Sequence, residues 1–155
     1  RPVAFPTIRL AMLADLLFKS MAHFSIENLA VFIKKWKPNV SEYWLNHYRF
    51  DVRSTTNKMK ENDQFKDQLQ INVSAPLLFA YAQYYGKENL LTDALSILES
   101  TNSEDNNIIR KWKVAGLSPL SALESQALLQ LKSQYCDFRK CLSCTIGATL
   151  LTEKN

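Results

Sequence analysis

At 155 residues, 46% of them hydrophobic and 22% charged, the chain has the size and composition of a globular domain with its own core, not of a disordered or collagen-like segment. Its 19 Lys and Arg against 15 Asp and Glu leave a mild net charge of +4, scattered rather than gathered into the basic stripe of a dedicated nucleic-acid module. Three isolated glycines and two histidines exclude a P-loop, a G-x-G-x-x-G turn and an imidazole-rich metal site, and neither H-E-x-x-H nor G-x-S-x-G occurs.

Read in chain order, the sequence is a succession of helix starts, apolar faces and stops. Pro6-Thr7 opens a first helix carrying Ile8, Leu10, Met12, Leu13, Leu16, Leu17 and Met21, an apolar face so wide that burial is expected. Ser25 reads as the N-cap of a second helix through Leu29, Val31, Phe32, Ile33 and Trp36, ending before Pro38. Ser41 caps a short aromatic helix with Tyr43, Trp44, Leu45, His47 and Tyr48. The stretch from Phe50 to Asp63, with Ser54, Thr55, Thr56 and Asn57 together, is polar; from about Asp51 to Asp63 it is expected to be the most mobile internal segment.

A short helical segment follows through Phe65, Leu69 and Ile71. Ser74-Ala75-Pro76 then starts a strong helix that stops at Gly86. The next helix carries Leu90, Leu91, Ala94, Leu95, Ile97 and Leu98. Ser103 is expected to cap another, with Ile108, Ile109, Trp112 and Val114, ended by Gly116. Ser118-Pro119 reads as a further cap and first-turn proline, leading into Ala122, Leu123, Ala127, Leu128 and Leu131. No strand pattern exceeds a few residues. The expectation is an all-α fold, a compact multi-helix bundle of antiparallel helix pairs forming a single domain over 1–155.

No apolar run reaches the ~18 residues that span a bilayer, and no signal peptide is visible, so a cytoplasmic protein without membrane contact is expected. The chain starts with Arg1 rather than Met, which suggests the C-terminal part of a longer protein.

The one cluster of metal-ligand character is Cys136, Cys141 and Cys144, spaced C-x4-C-x2-C. If Cys141 and Cys144 share a helical turn their sulfurs share a face, and Cys136 can fold back towards them. Zinc and most iron–sulfur clusters take four ligands. The fourth would come from His47, His23, Asp137, water or another chain. The alternative is three ordinary, mostly buried thiols, or a disulfide or redox role. His47, among Tyr43, Trp44 and Tyr48, reads as a partly buried, hydrogen-bonded histidine. Glu99, Glu104 and Asp105 read as decoration of a helix start, where negative charge suits the helix dipole. Trp36, Tyr43, Trp44, Tyr48, Tyr81, Tyr84 and Tyr85 read as core rather than as a base-stacking platform. No catalytic residue is indicated.

Four segments together resemble the C-terminal half of an uncharacterised bacterial domain-of-unknown-function family. They are Arg1-Pro2 with Phe5-Pro6-Thr7-Ile8-Arg9; Tyr43-Trp44 with His47-Tyr48; Ile71-Asn72 with Ala75-Pro76-Leu77-Leu78-Phe79-Ala80-Tyr81; and Ser125-Gln126-Ala127 through Tyr135-Cys136, Cys141, Cys144 and Ile146-Gly147. The resemblance implies no activity. It implies longer relatives, whose upstream half carries an acidic pattern similar to that of PD-(D/E)xK nucleases and absent here, and a cysteine trio at the family's end.

Two readings follow. In the first, the chain is a non-catalytic helical accessory or interaction domain whose partner is the N-terminal part of its own protein. In the second, it handles nucleic acid beside a nuclease-like domain, its C-terminus braced by zinc or an iron–sulfur cluster. That reading expects Arg1, Arg9 and members of the Lys34–Lys37 or Arg110–Lys113 groups on one face.

Overall fold

The computed structural model describes residues 6–21, 25–53 and 63–152. The protein is all-α, and strand among the described residues is confined to one short hairpin. The chain divides into two compact units, Arg1–Ala94 and Leu95–Asn155. Among the described residues, no helix is long and apolar enough to cross a membrane. Of the expected mobile stretch, 54–62 lies outside the described residues, as do Arg1 and His23.

In the first unit, α1 (Pro6–Ser20), α2 (Ile26–Lys35) and α3 (Glu42–Asn46) precede a hairpin of β1 (His47–Arg49) and β2 (Val52–Arg53). The third helix stops at Asn46, earlier than expected. His47 takes extended backbone angles and pairs with Arg53. The turn between the strands holds Asp51 at a left-handed φ of 58°. Beyond it, α4 (Asp63–Leu69) runs through a π-helical turn, Gln70–Ser74, into α5 (Ala75–Tyr85). Ser74 is therefore helical rather than a cap. The reason lies in Pro76, which has no N–H for the carbonyl of Asn72 and whose ring would strike it; the wider π-turn accommodates both defects. Gly86, at φ 65°, ends α5 as expected.

The core of this unit is Met12, Leu16, Leu29, Ile33, Trp36, Val40 and Phe65, with Ile8, Ala11, Phe32, Trp44, Leu69 and Val73 packed around them. One carboxylate oxygen ties three segments to it. Asp15 Oδ2 accepts from the Trp36 indole N–H at 2.8 Å, the Lys19 ammonium at 2.9 Å and the Asn39 backbone N–H at 3.1 Å. Burial acts to raise the pKa of Asp15. The bonds from Lys19, Trp36 and Asn39, with the Lys19 charge, outweigh it and hold the carboxyl below its ordinary value.

A carboxyl depressed in the folded state takes up fewer protons folded than unfolded. Its contribution is complete above the unfolded value of about 3.9 and disappears as pH falls through the lower folded value. Urea midpoints should therefore drop below about pH 4 more steeply in the natural chain than in Asp15→Asn. Parallel profiles for the two proteins would contradict this role.

α6 (Glu88–Ser100) crosses from the first unit to the second. The second unit continues with α7 (Asn107–Val114), α8 (Ala122–Leu131) and α9 (Thr145–Thr152). Both caps differ from expectation. Asn106, not Ser103, caps α7, its side chain accepting from Ile108 and Ile109 N–H at 3.0 Å each. Ser121, not Ser118, caps α8, accepting from Glu124 N–H at 3.3 Å, while Glu124 reaches back to Leu120 N–H at 2.7 Å. This is close to a capping box, and two satisfied donors outcompete the single hydroxyl offered by Ser118.

Ser125, wholly buried, joins the turn before α7 to α8. Its hydroxyl donates to Ala122 O at 3.0 Å and accepts from Glu104 N–H at 3.2 Å. Gly116, at φ 92°, closes α7 in a Schellman motif, with Leu117 N–H on Trp112 O at 2.9 Å and Gly116 N–H on Lys113 O at 3.1 Å.

Candidate functional site

The cysteines sit after α8. A π-helical turn, Lys132–Cys136, ends in a second Schellman motif, here on a non-glycine: Arg139 at φ 54°, with Lys140 N–H on Tyr135 O at 3.0 Å and Arg139 N–H on Cys136 O at 3.1 Å. Cys141–Ser143 is a 3-10 turn, and Cys144 leaves it with extended angles. The shared α-helical turn expected for Cys141 and Cys144 is thus replaced by a break between them. Cys136 and Cys141 are exposed, Cys144 is buried, and all three are free thiols. Among the described residues, no three His, Cys, Asp or Glu side chains gather so as to hold a metal ion. On native protein a thiol reagent should therefore modify Cys136 and Cys141 quickly and Cys144 only on unfolding. Three equal rates would contradict this placement.

His47 belongs to an aromatic cluster that pins the hairpin. Its ring stacks on Tyr43, centroids 4.1 Å apart and planes 5° from parallel. Its Nδ1 lies 2.9 Å from the Tyr43 carbonyl, which can only accept, so the proton is on that nitrogen. Trp44 meets the edge of Tyr43 at 5.0 Å and Phe50 at 5.1 Å. Asp51 N–H donates to the Tyr43 hydroxyl at 3.0 Å. The arrangement holds a turn by stacking and hydrogen bonds.

Three of the other charged candidates have local partners. Arg110 forks onto Asp105 at 2.8 and 2.9 Å, which holds the Asp105 carboxyl below its usual range. Glu104 accepts from Gln126 at 2.8 Å. The Arg9 guanidinium lies over the Phe65 ring, 5.8 Å from its centroid. The aromatic residues expected in the core divide. Trp36 is buried and Trp44 half-buried, but Tyr84 and Tyr85 are exposed on the outer face of α5, their rings 4.9 Å apart. The Tyr48 side chain lies outside those described.

The feature that composition does not predict is α1. Its wide apolar face is two faces. Met12 and Leu16 point into the core. On the opposite side Leu10, Leu13, Leu17, Phe18 and Met21 are exposed, Phe18 at 78% and Met21 at 81%. Leu10, Ala14, Leu17 and Met21 recur at steps of four, three and four, a heptad-like spacing that lines them up along one side of the helix. Ala14 is exposed in the middle of that seam. The pattern was present in the sequence, but one continuous apolar count concealed it; separating the series Ile8, Met12, Leu16 from the series Leu10, Ala14, Leu17, Met21 would have exposed two faces.

An all-helical domain with one helix apolar on both sides is the class of protein that fold and surface define. The chain belongs to the DUF2851 family, described as a protein of unknown function, whose model matches residues 1–107. The match contains α1 and the first unit whole and stops before the cysteine segment. No curated protein and no solved structure matches the chain.

Proposed function

We propose that the protein is a non-catalytic helical accessory domain that works by packing the outer face of α1 against a helix of another folded module. The observation that carries this reading is the exposed seam Leu10, Ala14, Leu17 and Met21 with Leu13 and Phe18 beside it, opposite a face already used by the core. Monomeric soluble proteins seldom leave a large apolar patch open, and a heptad spacing selects a helix as its cover. An N-terminal part of the same protein is one source of that helix, and a short tether would give it a high effective concentration. On this reading the protein works in the cytoplasm.

Leu17→Lys separates folding from assembly. An exposed side chain should change folding stability by no more than about 0.5 kcal/mol. The same change should abolish cross-links from α1 to its partner helix in the whole protein, because a buried lysine without a counter-charge is costly. Unaltered cross-linking in Leu17→Lys would sink the proposal.

A further inference from the structure

We infer that the helix covering the outer face of α1 is α1 of a second copy of this chain, packed antiparallel about a two-fold axis. The inference rests on the reading of α1 as a docking face and adds the identity of its partner.

Area supports it. The exposed portions of Leu10, Leu13, Leu17, Phe18 and Met21 together present on the order of 600 Å² of apolar surface, the top of the range that a monomer leaves open. Two such faces pressed together bury at most about 1,200 Å², enough to reach the roughly 1,000 Å² that a specific interface needs. One face of this size laid on a polar surface would bury little apolar area in return.

Charge supports it too. Seams meant for a different partner are usually flanked by charges that favour that partner and repel copies of the same chain. Here the exposed flanking positions are Leu13 and Phe18, both uncharged, while Ala11 packs against the core and Ser20 is buried. The charged residues of α1 are turned to other tasks. Asp15 and Lys19 bond each other at 2.9 Å on the Trp36 side, and Arg9 lies over Phe65. Nothing on the seam repels its own image.

Shape is self-complementary as well. The seam from Leu10 to Met21 is centred between Ala14 and Leu17. In an antiparallel pair each Ala14 faces Leu17 of the second copy, a small residue against a large one on both sides of the axis. That is the alternation by which facing helices interdigitate, and a two-fold axis uses it twice.

Sedimentation of the full chain from a few to several hundred micromolar tests the proposal. The expected result is a monomer–dimer equilibrium in the micromolar range. Leu17→Lys should weaken it at least about a hundredfold, because symmetry introduces each substitution twice, and should leave the helical circular dichroism unchanged. Leu142→Lys, exposed and in the other unit, serves as the control and should dimerise like the natural chain. A monomer at every concentration overturns the inference, and so does a dimer indifferent to Leu17→Lys. If the chain is monomeric but Met21 is shielded from oxidation inside cells, the second copy is overturned and the docking face stands. If Met21 stays open there as well, both fall.

Discussion

Trp36→Ala is expected to lower the stability of the first unit by about 3–5 kcal/mol, a large part of the roughly 5–15 kcal/mol that holds a domain together. Trp36 is buried and does two jobs. Its ring packs against Phe65, centroids 6.3 Å apart, and its indole N–H donates to Asp15 at 2.8 Å. Removing it opens a cavity between α2 and α4 and takes a donor from a half-buried carboxylate. Trp36→Phe separates the two effects. It keeps an aromatic ring in the cavity and should cost about 1–3 kcal/mol, part of it the lost hydrogen bond to a charged group. Urea unfolding at neutral pH measures both. A loss below about 1 kcal/mol for the alanine variant would show that Trp36 does not centre this core.

Gly147→Ala is the second large effect, and its sign is unusual. Inside a helix, alanine normally stabilises by about 1 kcal/mol relative to glycine. Here a Cβ would lie 2.6 Å from the carbonyl oxygen of Cys141 and 3.0 Å from its Cα. Those are backbone atoms of the 3-10 turn on which α9 rests, so no side chain can swing aside. The helix must move off the turn, at an expected cost of about 1–3 kcal/mol. Cys144, buried between turn and helix, should then react with a thiol reagent at a rate approaching that of Cys136. A Gly147→Ala protein with a raised melting temperature and a protected Cys144 would contradict the packing. Gly86 and Gly116 differ in kind. Space around them is open, and their left-handed φ values of 65° and 92° are what an alanine there would strain.

Local chemistry made much of the fold legible. The proline start of α1, the stop at Gly86 and the stop at Gly116 lie where the residues place them, because each depends only on neighbours in the chain; Ser25 stands at the N-cap position of α2, but its side chain makes no capping bond. Expected and observed starts part where two local signals compete. Ser103 and Ser118 are good caps in isolation, but Asn106 and Ser121 satisfy two donors each or bring a glutamate back. Ser74-Ala75-Pro76 reads as a helix start, yet a π-turn carries the helix through. His47 continues an aromatic helix on paper, while stacking on Tyr43 and pairing with Arg53 draw it into a strand.

The candidate site was less legible for a different reason. Spacing places Cys141 and Cys144 on one helical face only if the segment is helical, and the left-handed Arg139 and the 3-10 turn after it break that condition. Conversely, burial is a property of the whole fold. The sequence of α1 shows apolar residues all round, and only the positions of α2, α3 and α4 decide which half they cover.

Methionine oxidation tests the central claim most directly, because there is a probe on each face: Met12 within α1 at 2% exposure and Met21, in the turn just past its last residue, at 81%. In the isolated chain at low micromolar concentration, a brief peroxide or hydroxyl-radical pulse should oxidise Met21 readily and leave Met12 untouched. At high concentration, or inside cells, Met21 should become protected several-fold while Met12 stays as it was. Equal oxidation of Met21 under all three conditions would mean that the outer face of α1 meets only solvent, and the account of this protein as a docking domain would be wrong.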